Sequence, residues 1–140
     1  MIRKCEERDW KQIKQLIDLL ENRCFDIETF QRIFMKQLND ESYACFVYEY
    51  DGKILGCLNM RLEEQLHHCS KVAQILEFCV CEESRSEGIG RQLFVHAASY
   101  AKENGCEQIE LETSLWRKRA HAFYEREGMI FDHAYYTMKL

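Results

Sequence analysis

Apolar residues fall at helical spacing over the first part of the chain. Trp10, Ile13, Leu16, Ile17 and Leu20 make one stripe, and Phe30, Ile33, Phe34 and Leu38 a second. Asp9 stands just before the first stripe and Asp26 before the second. A carboxylate at that position can accept from the unpaired amides of the first turn, so Asp9 is expected to cap its helix and Asp26 marks the next start. The pattern then changes. "SYACFVYEY" and "KILGCLNMRLEE" are rich in β-branched, aromatic and cysteine residues, and Asp51-Gly52 between them suits a tight type I′ hairpin turn. After the polar break "QLHHCS", "VAQILEFCVCEE" reads as a strongly apolar strand with one internal carboxylate, Glu77. A helix with Leu93, Phe94, Ala97, Ala98 and Ala101 facing inward follows and stops at Asn104-Gly105. "EQIELETS" is a fifth strand, "RKRAHAFYEREG" a short helix ended by Gly128, and "MIFDHAYYTMKL" a closing strand. With "MIRKCEE" as the first strand, the order is β-α-α-β-β-β-α-β-α-β, a mixed α/β domain with its sheet covered on both sides.

The 140 residues contain no proline, repeat or low-complexity tract, which predicts one compact domain over 1–140. No apolar run approaches the ~20 residues of a membrane span, and the N-terminus lacks the apolar core of a signal peptide. A cytoplasmic protein with no membrane partner is the expectation. The net charge of −5, with both signs scattered, speaks against nucleic-acid binding, which needs a basic face. None of the eight cysteines has C-x-x-C spacing, and several lie in apolar runs. They read as small hydrophobic thiols rather than a disulfide framework.

"RSEGIG", Arg85 to Gly90, joins the apolar strand to its helix. Gly88 and Gly90 let the backbone bend and approach a ligand closely. A helix start offers unpaired amides and the positive end of the dipole, so the turn suits an anion, most naturally a pyrophosphate; the plain alternative is a turn that needs glycine and binds nothing. It is not a Walker A loop, because Arg91-Gln92 follows Gly90, and not a dinucleotide fingerprint, because Leu93 holds the third glycine position.

A buried strand, R-x-x-G-x-G, a helix, a strand and then "AHAFYEREGM" resemble the GNAT superfamily of acetyl-CoA-dependent N-acetyltransferases, in element order over the whole chain. The resemblance implies a mainly antiparallel sheet splayed between its fourth and fifth strands. It implies that Arg85, Ser86, Glu87, Gly88, Ile89, Gly90 and Arg91 bind the diphosphate of coenzyme A, and that the backbone of Phe78, Cys79 and Val80 pairs with the pantetheine arm. "LHHCSKVAQILEFCV" and "AHAFYEREGM" are similar to the aminoalkylphosphonate N-acetyltransferase branch. That narrower likeness implies a small primary amine with an acidic group as acceptor. The chain departs from the branch at Ser114, where asparagine is expected and a cofactor contact is assigned, and in the more basic "LWRKRA".

Acetyl transfer needs a base for the ammonium and an acid for the leaving thiolate. Glu77, a lone carboxylate in an apolar strand, either faces a cleft as the base or is salt-bridged in the structure. Tyr124 matches the tyrosine that protonates the thiolate in the family; its alternative role is packing. His67, His68, Arg117 and His121 are acceptor-pocket candidates, set against plain surface roles. His67 and His68, adjacent in an extended segment, are expected to point opposite ways. A divalent ion held by His68 with Glu77 is a further expectation. No cysteine has an evident activating partner, so direct attack in a ternary complex is expected over an acyl-enzyme. The rival functions are a protein N-terminal or lysine acetyltransferase and a catalytically silent acetyl-CoA-binding regulatory module. A homodimer is left open.

Overall fold

The computed structural model describes residues 1–140. They fall into two compact units, Met1–Glu110 and Leu111–Leu140. The first holds a mixed sheet in the order β1-β2-β3-β4-β5. Its strands are β1 (Ile2–Lys4), β2 (Tyr43–Tyr50), β3 (Lys53–Gln65), β4 (Ser70–Val80) and β5, which starts at Cys106 and ends at Leu111. β1 to β4 pair antiparallel. β5 is reached from β4 through a helix, the kind of crossover that parallel neighbours require. The β2–β3 connection has the predicted form: Asp51 and Gly52 both take positive φ, +48° and +74°.

The helices of this unit are α1 (Trp10–Glu21), α2 (Ile27–Leu38) and α3 (Ile89–Glu103). The second helix starts after Asp26 as expected, and the Asp26 side chain caps it, accepting from the Thr29 amide at 2.9 Å. Asp9 does not cap α1. Its carboxylate is gripped by both terminal nitrogens of Arg3, at 2.7 and 2.9 Å, and by the Glu6 amide at 2.7 Å, which closes a short 3-10 turn one step earlier. Burial pushes this carboxyl up, but Arg3 and the Glu6 amide together hold it below the ordinary aspartate range. Arg3 also bonds Glu49 at 2.6 Å, so β1, β2 and the entry to α1 are tied at one guanidinium. All eight cysteines are free thiols.

The pairing registers assign each strand residue to a face. Phe46 lies opposite Leu58, and Ala44 opposite Met60. This face meets α3, where Leu93 and Phe94 are buried and His96 and Tyr100 set their rings edge-on to Phe46, centroids 4.7 and 5.1 Å away. Gly56 belongs here too: a Cβ on it would lie 3.0 Å from Leu93 Cδ1 and 3.1 Å from the Cys79 carbonyl, so the helix approaches only because that atom is missing. The opposite face carries Val47, Cys57 and Cys79, packed with Ile13 and Leu16 of α1 and, at the edge of the cluster, Phe30 and Phe34 of α2.

The second unit contains α4 (Lys118–Arg126). The closing strand expected over 129–140 is not formed; these residues carry no helix or strand. Alternation of apolar and polar residues supplies strand propensity, but a strand exists only where a neighbour completes its ladder and buries one face. Here Ile130, Phe131, Tyr136 and Met138 are all exposed. The Tyr135 hydroxyl bonds Glu112, which raises its pKa.

Candidate active site

Glu77 lies on β4 opposite Asn59 of β3, next to an irregularity in the ladder: Asn59 pairs with Glu77, but Met60 pairs with Ile75, which leaves Leu76 as an extra residue. A bulge of this kind re-aims the side chains beside it. The Asn59 amide nitrogen donates to Glu77 Oε2 at 2.7 Å and to Gln37 Oε1 of α2 at 2.9 Å. No lysine, arginine or histidine forms an ion pair with the carboxylate. Burial pushes the Glu77 carboxyl above the usual range; the Asn59 bond offsets this in part, and the negative charge of Glu21 adds to it. A carboxyl in this state takes a proton from an ammonium more readily than an exposed glutamate does.

Glu77 and Asn59 line a cavity of about 300 Å³ between the sheet and the first two helices. Ile13 and Ile17 of α1 and Phe30, Phe34 and Leu38 of α2 form its apolar walls. Cys45 and Cys57 complete its floor, and Cys57 Sγ lies 3.4 Å from Cys79 Sγ. Neighbouring thiols and burial hold both Cys45 and Cys57 well above the ordinary thiol range, so they stay protonated and unsuited to nucleophilic attack.

At the far end of β4 the Cys81 amide donates to the Leu55 carbonyl at 2.7 Å. The alternation of an antiparallel ladder then turns the N–H and C=O groups of Phe78 and Val80 away from β3, toward the β5 side. Beyond Cys81 the chain makes a 3-10 turn over Glu82–Ser84 and enters the glycine stretch. Arg85 folds back, its Nε donating to the Val80 carbonyl at 3.3 Å. Ser86 and Gly88 both adopt positive φ, +72° and +81°, so Gly88 meets a conformation that disfavours a side chain. Glu87 is exposed at this bend. The first bond of α3 runs from the Gln92 amide to the Gly88 carbonyl at 3.0 Å, which leaves the amides of Ile89 and Gly90 without a helical acceptor. Strand edge and helix start are therefore separated only by this turn and the glycine stretch.

In the second unit Tyr124 sits on α4 with its ring edge-on to Phe123, centroids 5.4 Å apart. The Ser114 carbonyl receives the Arg117 amide at 3.0 Å and lies 2.9 Å from His121 Nε2, so Ser114 organises the approach to α4 through its backbone. Arg117 stacks over Trp116, and His121 lies 5.9 Å from the Phe131 ring.

His67 and His68 require a correction. They occupy the tight turn between β3 and β4 rather than an extended segment, and their rings lie close together, centroids 4.3 Å apart and tilted by 43°. His68 Nε2 is 3.8 Å from Glu110. The expected ion shared by His68 and Glu77 does not fit, because from Ser70 to Glu77 the strand runs roughly 20 Å at ~3.3 Å per residue. No group of three or more histidine, cysteine or carboxylate side chains converges on a metal position. Asn59 and Gln37 were missed from sequence. The available signal was an amide inside the apolar run "GCLNMRL".

The model of the acetyltransferase (GNAT) family matches residues 10–129. An aminoalkylphosphonate N-acetyltransferase of Salmonella typhimurium is 31% identical over 140 residues, which cover 99% of this chain and 90% of that relative. The solved structure of a transcriptional regulator from Bacillus halodurans C-125 superposes with a TM-score of 0.93 at 26% identity, covering 100% of this chain and 99% of the other. A GNAT family acetyltransferase from Staphylococcus aureus shares the fold, with a TM-score of 0.83 at 20% identity and 100% and 98% coverage. No helix is long and apolar enough to cross a membrane.

Proposed function

The chain belongs to the GNAT acetyltransferase family, and on that premise we propose that it moves the acetyl group of acetyl-CoA directly onto a small primary amine held beside Glu77. The observation that carries this reading is a half-buried carboxylate, without a cationic partner, opening into a cavity of substrate size. Because the family model runs through both compact units, we read 1–140 as one acetyltransferase domain.

Acetyl-CoA supplies the activated thioester. The turn from Arg85 to Arg91, with the amides of Ile89 and Gly90, holds the diphosphate. The outward-turned backbone of Phe78 to Val80 lies along the pantetheine arm, and an N–H near Val80 polarises the thioester carbonyl. Glu77 takes the proton of the incoming ammonium, directly or through a water, and the freed lone pair forms the C–N bond. Tyr124 gives its hydroxyl proton to the sulfur as the C–S bond breaks. The family likeness assigns Ser114 a cofactor contact and Arg117 and His121 acceptor contacts. The name of the Salmonella relative supports one candidate class of acceptor, an amine that carries an acidic group. The eight free thiols support a reducing compartment, the cytoplasm.

The name of the Bacillus halodurans structure favours a second reading, an acetyl-CoA-binding regulatory module without turnover. A thiol-release assay with acetyl-CoA and a panel of primary amines separates the two. We expect turnover, reduced about 100-fold or more in kcat/KM by Glu77→Gln, the size typical of a lost general base. Acetyl-CoA binding with no amine turned over would favour the regulatory module.

A further inference from the structure

The cavity beside Glu77 carries information about its occupant that the comparisons do not. We propose that the part of the acceptor next to the reacting amine is hydrocarbon, so that the preferred substrates are primary alkylamines and arylalkylamines; this rests on the acetyltransferase reading. Size comes first. About 300 Å³ holds on the order of ten waters at ~30 Å³ each, and hence an amine of about ten heavy atoms.

Chemistry comes second. Phe25, Phe30, Phe34 and Leu38 line the cavity together with Ile13 and Ile17, so its walls are mostly hydrocarbon; Gln37, Tyr43 and Asn59 are its uncharged polar side chains. Glu77 is the one carboxylate of the lining, and the Asn59 amide nitrogen is already divided between Glu77 and Gln37. The one cation of the lining, Lys4, has its Nζ bound to the Tyr100 hydroxyl at 3.1 Å and over the Tyr100 ring at 4.7 Å. Tyr100 belongs to α3, on the other face of the sheet, so this ammonium is drawn away from Glu77. An ammonium placed at Glu77 completes a charge pair and leaves its substituent against hydrocarbon. A phosphonate placed in the same space would be desolvated with no cation to meet it.

The test compares butylamine, 2-phenylethylamine and 2-aminoethylphosphonate as acceptors in the thiol-release assay, with calorimetric titration of 2-phenylethylamine into the wild type and into Glu77→Gln. The expected result is a kcat/KM at least tenfold higher for the two hydrocarbon amines, with binding of 2-phenylethylamine weakened at least tenfold in the variant. If 2-aminoethylphosphonate is turned over and the hydrocarbon amines are inert, this inference fails and acetyl transfer stands. If nothing is turned over, the transferase reading fails and calorimetry decides the pocket: saturable heat that the variant loses supports an apolar-amine site, and no heat overturns it.

Discussion

The two faces of the sheet are made from the same strands and packed in opposite ways. Toward α3, Phe46, Leu58 and Met60 are almost completely buried beneath Leu93. One residue along in either direction, the same strands turn Cys45, Cys57, Asn59, Cys79 and Glu77 to the other face. These side chains are small or polar at positions where the α3 face has large hydrocarbons, and the space they leave is the cavity. Empty volume forfeits dispersion contacts, and a carboxylate without a counter-charge loses hydration. The difference is a division of labour within single strands: one face supplies stability, and the other gives some up to leave a cavity, which the proposed function fills with substrate.

Three substitutions probe that division. Leu58→Ala should have the largest effect on the fold, about 3 kcal/mol lost in denaturant unfolding, because a fully buried leucine is removed from a dense layer. Acceptor KM should stay unchanged; a raised KM would mean that the two faces are coupled. Cys57→Leu fills the cavity from its floor. It should raise acceptor KM about tenfold and leave KM for acetyl-CoA alone, at an overpacking cost of about 1 kcal/mol.

Glu77→Gln should have the smallest effect on stability and the opposite sign. Glu77 has a raised pKa in the folded chain, so its contribution favours the fold at acid pH and is lost as pH rises through the folded value. At neutral pH the charged form is a burden, and the glutamine variant should be more stable by ~1 kcal/mol, a gain that disappears toward pH 4. Wild-type activity should run the other way and fall as Glu77 is protonated. Unfolding curves at two pH values check both signs.

Much of this architecture is local and therefore readable. Asp51-Gly52 and Asp26 act within a few residues of themselves, and both behave as their chemistry predicts. Glu77 stands out because a carboxylate in an apolar strand needs a reason. What was not readable depends on distant partners. Asp9 is claimed by Arg3, which is itself placed by Glu49, 46 residues away. Asn59 and Gln37 reach Glu77 only through a register that includes a bulge, and one residue of slip would turn the side chains to the other face. Nothing in "QLHHCS" reveals that the hairpin turns on His67 and His68, so an extended geometry is the natural reading of the sequence there. The closing strand failed for the same reason: a ladder partner is not a property of the segment.

The most direct test is a crystal structure of the chain with coenzyme A and 2-phenylethylamine. The account predicts the amine nitrogen about 3 Å from the Glu77 carboxylate, with its ring against Phe30 and Phe34. An amine bound elsewhere, with the cavity beside Glu77 left without it, would contradict it.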